Sequence, residues 1–208
     1  MNKTIDLAVL NPTQTQDDVV RACKLVYHKE LASVCVKPHD ITLAKMCSCG
    51  VIKISTVINF PHGNETTSIR AEAASRAITD GADELDIVMQ ISKFLDGLYS
   101  EVEADLKRIV RLSDPVPIKV IIETGYLTNN EILIASKIVQ NAGAAWVKSC
   151  TGFGQRGVTP DDIAIMTSIK DIQVKASGGI YKKEQAQAYL DQGCTRLGVG
   201  LSSIGGLL

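Results

Sequence analysis

Eight short apolar runs alternate with helix-length amphipathic stretches from one end of this chain to the other, and nothing else in the sequence limits its fold as tightly. The runs are Ile5 to Leu10, Ser33 to Val36, Val51 to Ile58, Leu85 to Met89, Ile118 to Ile122, Ala145 to Val147, Ile172 to Val174 and Arg196 to Val199. Runs of this kind, separated by helical segments, read as strands of a parallel sheet covered on both faces. The helical stretches carry their own start and stop signals. Thr66 to Asp80 is alanine-rich and meets Gly81, and Thr128 has Glu131 three residues on, the spacing of a capping box, with its helix running toward Gly143. Thr159 is followed by Pro160, suited to a first helical turn, and by Asp161 and Asp162 at the positive end of the helix dipole. Eight parallel strands with helical crossovers predict an α/β fold, a (β/α)8 TIM barrel occupying residues 1–208 as a single domain. An open doubly wound sheet is the alternative, but no G-x-G-x-x-G follows the first strand, which weakens a dinucleotide site.

Composition narrows the partners. Lys plus Arg number 22 against 23 for Asp plus Glu, and no basic run stands out, so nucleic acid is not an expected partner. The N-terminus meets Asp6 and Pro12 before a signal-like apolar core can form, and no apolar stretch approaches a membrane span. A cytoplasmic protein without membrane contact is therefore expected. The cysteines, Cys23, Cys35, Cys47, Cys49, Cys150 and Cys194, are scattered and fit free thiols in a reducing compartment. Cys47 and Cys49 form C-x-C with no second Cys/His pair at ligand spacing, so no metal site is expected.

In a barrel, reactive groups belong at the C-terminal ends of strands and in the loops that follow. Asp6 starts the first run, Lys37 and His39 follow the second, and Asn59 and His62 follow the third. Asp86 interrupts the fourth, Glu123 and Thr124 end the fifth, and Lys148 and Lys175 mark the sixth and seventh. The two lysines, in A-A-W-V-K-S-C-T-G-F-G and I-Q-V-K-A-S-G-G-I, each end an apolar run and enter a glycine-containing segment where backbone can approach a ligand. A lone strand lysine snorkels to solvent or pairs with an acid. Two in the same setting point to a shared site, because burial and a neighbouring ammonium together strip a lysine of its proton and make it a nucleophile. Cys35 falls on a strand expected to open near that site, and Trp146 is expected to face the helix layer.

The segments I-D-L-A-V-L-N-P, S-V-C-V-K-P, V-I-N-F-P-H-G, G-A-D-E-L-D-I-V, K-V-I-I-E-T-G-Y-L-T, V-K-S-C-T-G-F-G and V-K-A-S-G-G-I occur here in the order in which deoxyribose-phosphate aldolases carry theirs. The chain resembles that family of class I aldolases on (β/α)8 barrels over nearly its whole length. The resemblance implies that Lys148 is the Schiff-base lysine, Lys175 its charged neighbour and Asp86 the carboxylate of a proton relay. An acid inside a strand beside two lysines reads directly as a counter-ion too, with a purely structural ion pair as the alternative. The implied reaction cleaves 2-deoxy-D-ribose 5-phosphate to acetaldehyde and D-glyceraldehyde 3-phosphate, needs no cofactor, and is carried out by a homo-oligomer, a dimer or higher.

Several positions depart from the family pattern. Ala8 replaces a threonine two residues after Asp6, and Lys37 stands where the family more often has an uncharged residue and is expected to meet a surface acid. Tyr181 replaces the arginine of K-A-S-G-G-I-R, and R-L-G-V-G-L-S-S-I puts Gly200 and Leu201 at the serine positions of R-I-G-T-S-S-G, with Ser202 and Ser203 two residues late. Backbone N–H groups at Gly178, Gly179, Gly198 and Gly200, with a helix starting near Ser202, are expected to hold the phosphate, and Asp6 and Gly152 complete the expected substrate contacts. The sequence ends at Leu208 without the terminal tyrosine of some family members, so proton transfer is expected to rest on Asp86 and water. These changes keep two rivals open: an aldolase of the same family acting on another short sugar or sugar phosphate, and a non-catalytic sugar-phosphate binding protein.

Overall fold

The computed structural model describes residues 1–208. Its strands are β1 (Ile5–Val9), β2 (Ser33–Val36), β3 (Lys53–Ile58), β4 (Glu84–Val88), β5 (Ile118–Ile121), β6 (Trp146–Lys148), β7 (Gln173–Ser177) and β8 (Arg196–Gly200). All neighbouring pairs are parallel, and β8 pairs back onto β1 to close a barrel in chain order. The intervening helices are α1 (Gln16–Lys29), α2 (Ile41–Ser48), α3 (Thr67–Thr79), the short α4 (Ile91–Leu95), α5 (Tyr99–Ser113), α6 (Asn129–Asn141), α7 (Pro160–Thr167) and α8 (Lys183–Asp191). All eight expected strands are present, and the capping box predicted at Thr128 forms. Thr128 N donates to Glu131 Oε2 at 2.7 Å while Thr128 Oγ1 accepts from Glu131 N, and Thr159 and Asp162 repeat the arrangement at α7. Each such cap is worth about 1 kcal/mol.

Successive strand residues point to opposite faces, so each strand divides its side chains between two environments. Leu85 and Ile87 of β4, Val120 of β5, Val174 and Ala176 of β7, and Leu197 and Val199 of β8 pack in the apolar layer between sheet and helices. The other set faces the barrel axis. The register keeps that set together: Asp6 lies beside Ser33 and Gly198, Asp86 beside Lys119, Lys148 beside Lys175, and Lys175 beside Arg196. Barrels of this type ordinarily fill their interiors with branched apolar side chains. Here the interior is charged, and a one-residue slip of β1, β4, β5, β6, β7 or β8 would drive a charge into the apolar layer.

Trp146 corrects one expectation. It lies two residues before inward-facing Lys148, so it also points inward, at the N-terminal end of β6. Its ring lies 5.8 Å from Lys119 Nζ and 5.2 Å from the Arg196 guanidinium, and its Nε1 donates to Thr195 Oγ1 at 3.0 Å. The indole floors the charged interior and does not face the helices. A second correction concerns the segment after β8, where the expected helix is only a three-residue 3-10 turn, Ile204–Gly206.

Candidate active site

Lys148 is the last residue of β6 and Lys175 the central residue of β7, and their amines converge on one carboxylate oxygen. Asp86 Oδ2 accepts from Lys148 Nζ at 2.6 Å and from Lys175 Nζ at 2.7 Å. Asp86 Oδ1 accepts from Lys119 Nζ at 2.8 Å and from Ser55 Oγ at 3.2 Å. Lys175 also donates to Asp6 Oδ2 at 2.5 Å, while Asp6 Oδ1 accepts from Ser33 Oγ at 2.7 Å and Arg196 at 2.6 Å. Glu84 pairs with Lys119 across 2.6 Å and accepts from Arg196 at 3.3 Å. The sequence-predicted Lys148, Lys175 and Asp86 therefore meet in one place. Asp6 borders the same cavity, but both its oxygens are occupied, which makes it a counter-ion to Lys175 rather than a free substrate contact.

Lys119, Glu84 and Arg196 belong to this cluster and went unremarked as site residues in the sequence. The signal was available: Lys119 in I-K-V-I is a lone charge between apolar neighbours, the pattern that singled out Asp86 in L-D-I.

Burial opposes every charge here, and each group resolves the conflict differently. For Lys175 burial favours the neutral amine, but Asp6 and Asp86 outweigh it and raise its proton affinity above that of an ordinary lysine. Lys119 is raised for the same reason, by Asp86 and Asp6. Asp6 is driven up by burial and more strongly down by Lys175, Lys119 and Arg196, and Asp86 is held well below the usual carboxylate range by the three lysines around it. Lys148 alone among the cations moves the other way. Burial lowers its proton affinity, Asp86 only partly offsets this, and Lys175 adds repulsion. Cys35 reaches the same interior, and burial pushes its thiol up to about 11.

Lys148 and Lys175 both line an open cavity of about 190 Å³, whose far end is formed by Gly152, Gly178, Gly179, Tyr181, Ser202 and Ser203. Gly152, Gly178 and Gly179 have φ of +87°, +87° and +78°, and a Cβ on Gly178 would come within 2.8 Å of Cys150 Cβ. Only glycine fits both the torsion and the space. The N–H groups of Gly152, Gly178, Gly179 and Ser202 donate to no protein acceptor. Gly198 also lines the cavity, and its bareness makes room for β7: a Cβ there would lie 2.7 Å from Ser177 Cβ and 3.3 Å from Lys175 Cε. A Cβ on Gly200 would lie 3.8 Å from Ser203 Oγ and 3.9 Å from Ser202 Oγ, so the two late serines still turn hydroxyls into the cavity.

The loop after β6 is held from beneath. Glu123 Oε2 accepts from Thr151 N at 3.0 Å, and Arg156 binds Asp162 of α7 and the carbonyl of Thr124. Lys37 lies outside the cavity. It donates to the Gln14 carbonyl at 2.7 Å and lies 3.5 Å from Asp40, so its acid is buried and not at the surface as expected. No helix is long and apolar enough to cross a membrane, and all six cysteines are free.

A buried amine of lowered proton affinity, beside a charged amine and a shared carboxylate, is chemically equipped to add to a carbonyl and form an iminium. Comparison with known proteins adds four findings. The family model described as DeoC/LacD family aldolase matches residues 1–203. A deoxyribose-phosphate aldolase of Clostridium perfringens is 40% identical over 204 residues, covering 96% of this chain and 91% of its own. Among solved structures, one described as QR15, an aldolase, superposes with a TM-score of 0.93 at 36% identity, covering 98% of this chain and 92% of its own. Another, described as a uniquely tetrameric deoxyribose phosphate aldolase from Aeropyrum pernix, gives 0.88 at 25% identity, covering 99% and 88%.

Proposed function

The chain belongs to the DeoC/LacD aldolase family and is a carbon–carbon lyase, and on that premise we propose that it cleaves 2-deoxy-D-ribose 5-phosphate to acetaldehyde and D-glyceraldehyde 3-phosphate through a Schiff base on Lys148. The observation that carries the assignment is the convergence of Lys148 and Lys175 on Asp86 Oδ2 at the edge of the cavity. Neutral Lys148 adds to the C1 aldehyde of the open-chain sugar, and loss of water from the carbinolamine leaves an iminium. The C3 hydroxyl gives up its proton, the C2–C3 bond breaks, and its electron pair passes into the iminium to form an enamine. Glyceraldehyde 3-phosphate departs. Protonation of the enamine at C2 and addition of water then release acetaldehyde and restore the amine.

Asp86, ionised at rest, balances the iminium and passes protons between Lys148 and Lys175 through the oxygen that both contact. The amides of Gly152, Gly178, Gly179 and Ser202, with the hydroxyls of Ser202 and Ser203, hold the phosphate. Gly198 and Gly200 shape that end of the cavity. The six free thiols support a cytoplasmic setting, and the tetrameric relative supports a homo-oligomer.

One observation favours a second reading. Tyr181, at the place of an arginine, is exposed, and the cavity has no cation beyond its two lysines, which suits a substrate of weaker anionic character. Comparing kcat/KM for deoxyribose and its 5-phosphate separates the two substrates. The mechanism itself is tested by intact mass and peptide mapping after borohydride reduction with acetaldehyde. A reduced adduct at Lys148 that is absent from Lys148→Ala is expected, and a folded wild type with no adduct would refute the assignment.

A further inference from the structure

The interior of the barrel holds four cations, Lys119, Lys148, Lys175 and Arg196, against three carboxylates, Asp6, Glu84 and Asp86. One proton too many is present when every group is charged. A sealed interior tolerates an unbalanced charge poorly, so one cation is under pressure to become neutral. The contacts identify which. Lys175 touches Asp6 and Asp86, Lys119 touches Glu84 and Asp86, and Arg196 touches Asp6 and Glu84. Lys148 touches Asp86 alone, through an oxygen that Lys175 also uses.

We propose that Arg196, Glu84 and Lys119, the layer beneath the reactive lysine, set the charge count that leaves Lys148 unprotonated, and so act as positioning residues for its proton. The inference rests on Lys148 as the nucleophile, but none of the three residues touches it. Every strand's contribution enters the count: Asp6 from β1, Glu84 and Asp86 from β4, Lys119 from β5, Lys148 from β6, Lys175 from β7 and Arg196 from β8. From β2 come the uncharged Ser33 and the Cys35 thiol, neutral below about pH 11, and from β3 the uncharged Ser55. Lys53, at the N-terminal end of β3, lies 3.7 Å from Glu84 but is 63% exposed, so solvent screens it and the count inside the barrel stands.

The signs follow from the count. Arg196→Gln leaves three cations and three carboxylates, a balance in which Lys148 keeps its proton. Glu84→Gln leaves four cations and two carboxylates, which expels that proton more readily. Removing both restores a surplus of one. A role confined to packing would move both single variants the same way, because Arg196 and Glu84 touch each other at 3.3 Å.

The test is competitive acetylation by acetic anhydride across pH, with peptide mapping of Lys148, which titrates the amine whether or not it forms an imine. Failure here is thus distinct from failure of the aldolase assignment, which borohydride trapping reports. The Lys148 midpoint should rise by about one pH unit or more in Arg196→Gln, fall by a similar amount in Glu84→Gln, and return near wild type in the double variant. Arg196→Lys should leave it unchanged. If Arg196→Gln does not fold, Lys119→Met removes the same charge from the same layer and must raise the midpoint. If neither folds, the direction of Glu84→Gln decides. Shifts of the same sign, or none, would overturn the proposal.

Discussion

Arg70 and Asp105 form an ion pair as deeply buried as anything in the barrel interior, yet the two sites are built on opposite terms. Arg70 of α3 donates to Asp105 of α5 at 2.5 Å and to the Val88 carbonyl at 2.5 Å. Charge there is balanced one to one, while hydrogen bonding is incomplete: Arg70 Nε and Asp105 Oδ1 have no partner. In the barrel cluster no fully buried nitrogen or oxygen of the lysines, Arg196 or the three acids is left without a partner, while basic groups outnumber acids by one. Saturated hydrogen bonding and neutral charge are separate requirements. The pair meets the second and ties a helix layer to the sheet. The cluster meets the first and leaves one amine available for chemistry.

The sharpest way to break this contrast is Lys148→Met. It should lower kcat on deoxyribose 5-phosphate by about 10⁴-fold or more, as loss of a nucleophile does. The melting temperature should stay level or rise, because the three remaining cations and three carboxylates balance; calorimetry alongside a coupled assay reads both. Arg70→Met should do the reverse. Asp105 is left buried without its cation, at a cost of about 3–5 kcal/mol in urea unfolding, while kcat of the folded enzyme holds.

Acid sharpens the comparison next. Asp6 and Asp86 have folded-state proton affinities below the unfolded value, so the stability they contribute is complete above about pH 4 and is lost as pH falls toward their folded values. Urea midpoints of wild type and Asp86→Asn should differ most near pH 6 to 7 and converge below about pH 4. The smallest effect belongs to the far end of the cavity. Ser202→Ala combined with Ser203→Ala should raise KM for the phosphorylated sugar by about 3- to 10-fold and leave kcat unchanged.

Strand positions were legible because parallel strands covered on both faces have to be apolar, and helix starts because their caps are local. Lys148, Lys175 and Asp86 were legible as charges where burial forbids them without a purpose. The lower layer was not read, although Lys119 carries the same pattern, because Arg196 opens its strand and looks like an ordinary solvent-facing end. Trp146 shares its strand face with Lys148 two residues on and not with its neighbour Val147, so its inward position follows from the two-residue period of β6. The substitution of late serines for early ones could not be resolved by alignment alone. Whether Ser202 and Ser203 reach the cavity depends on how the chain turns after Gly200, a non-local property.

The pairing of β8 with β1 has a consequence in time. Asp6 and Arg196 are separated by 190 residues, and Asp6 and Lys175 by 169. At ordinary rates of synthesis the first acid is made roughly 10–40 s before its last partner emerges from the ribosome. Until then neither the sheet nor the charge count can close, so a nascent chain carries Lys148 in a setting that has no reason to withhold its proton. On the proposed assignment, Lys148 becomes a nucleophile only when β8 meets β1.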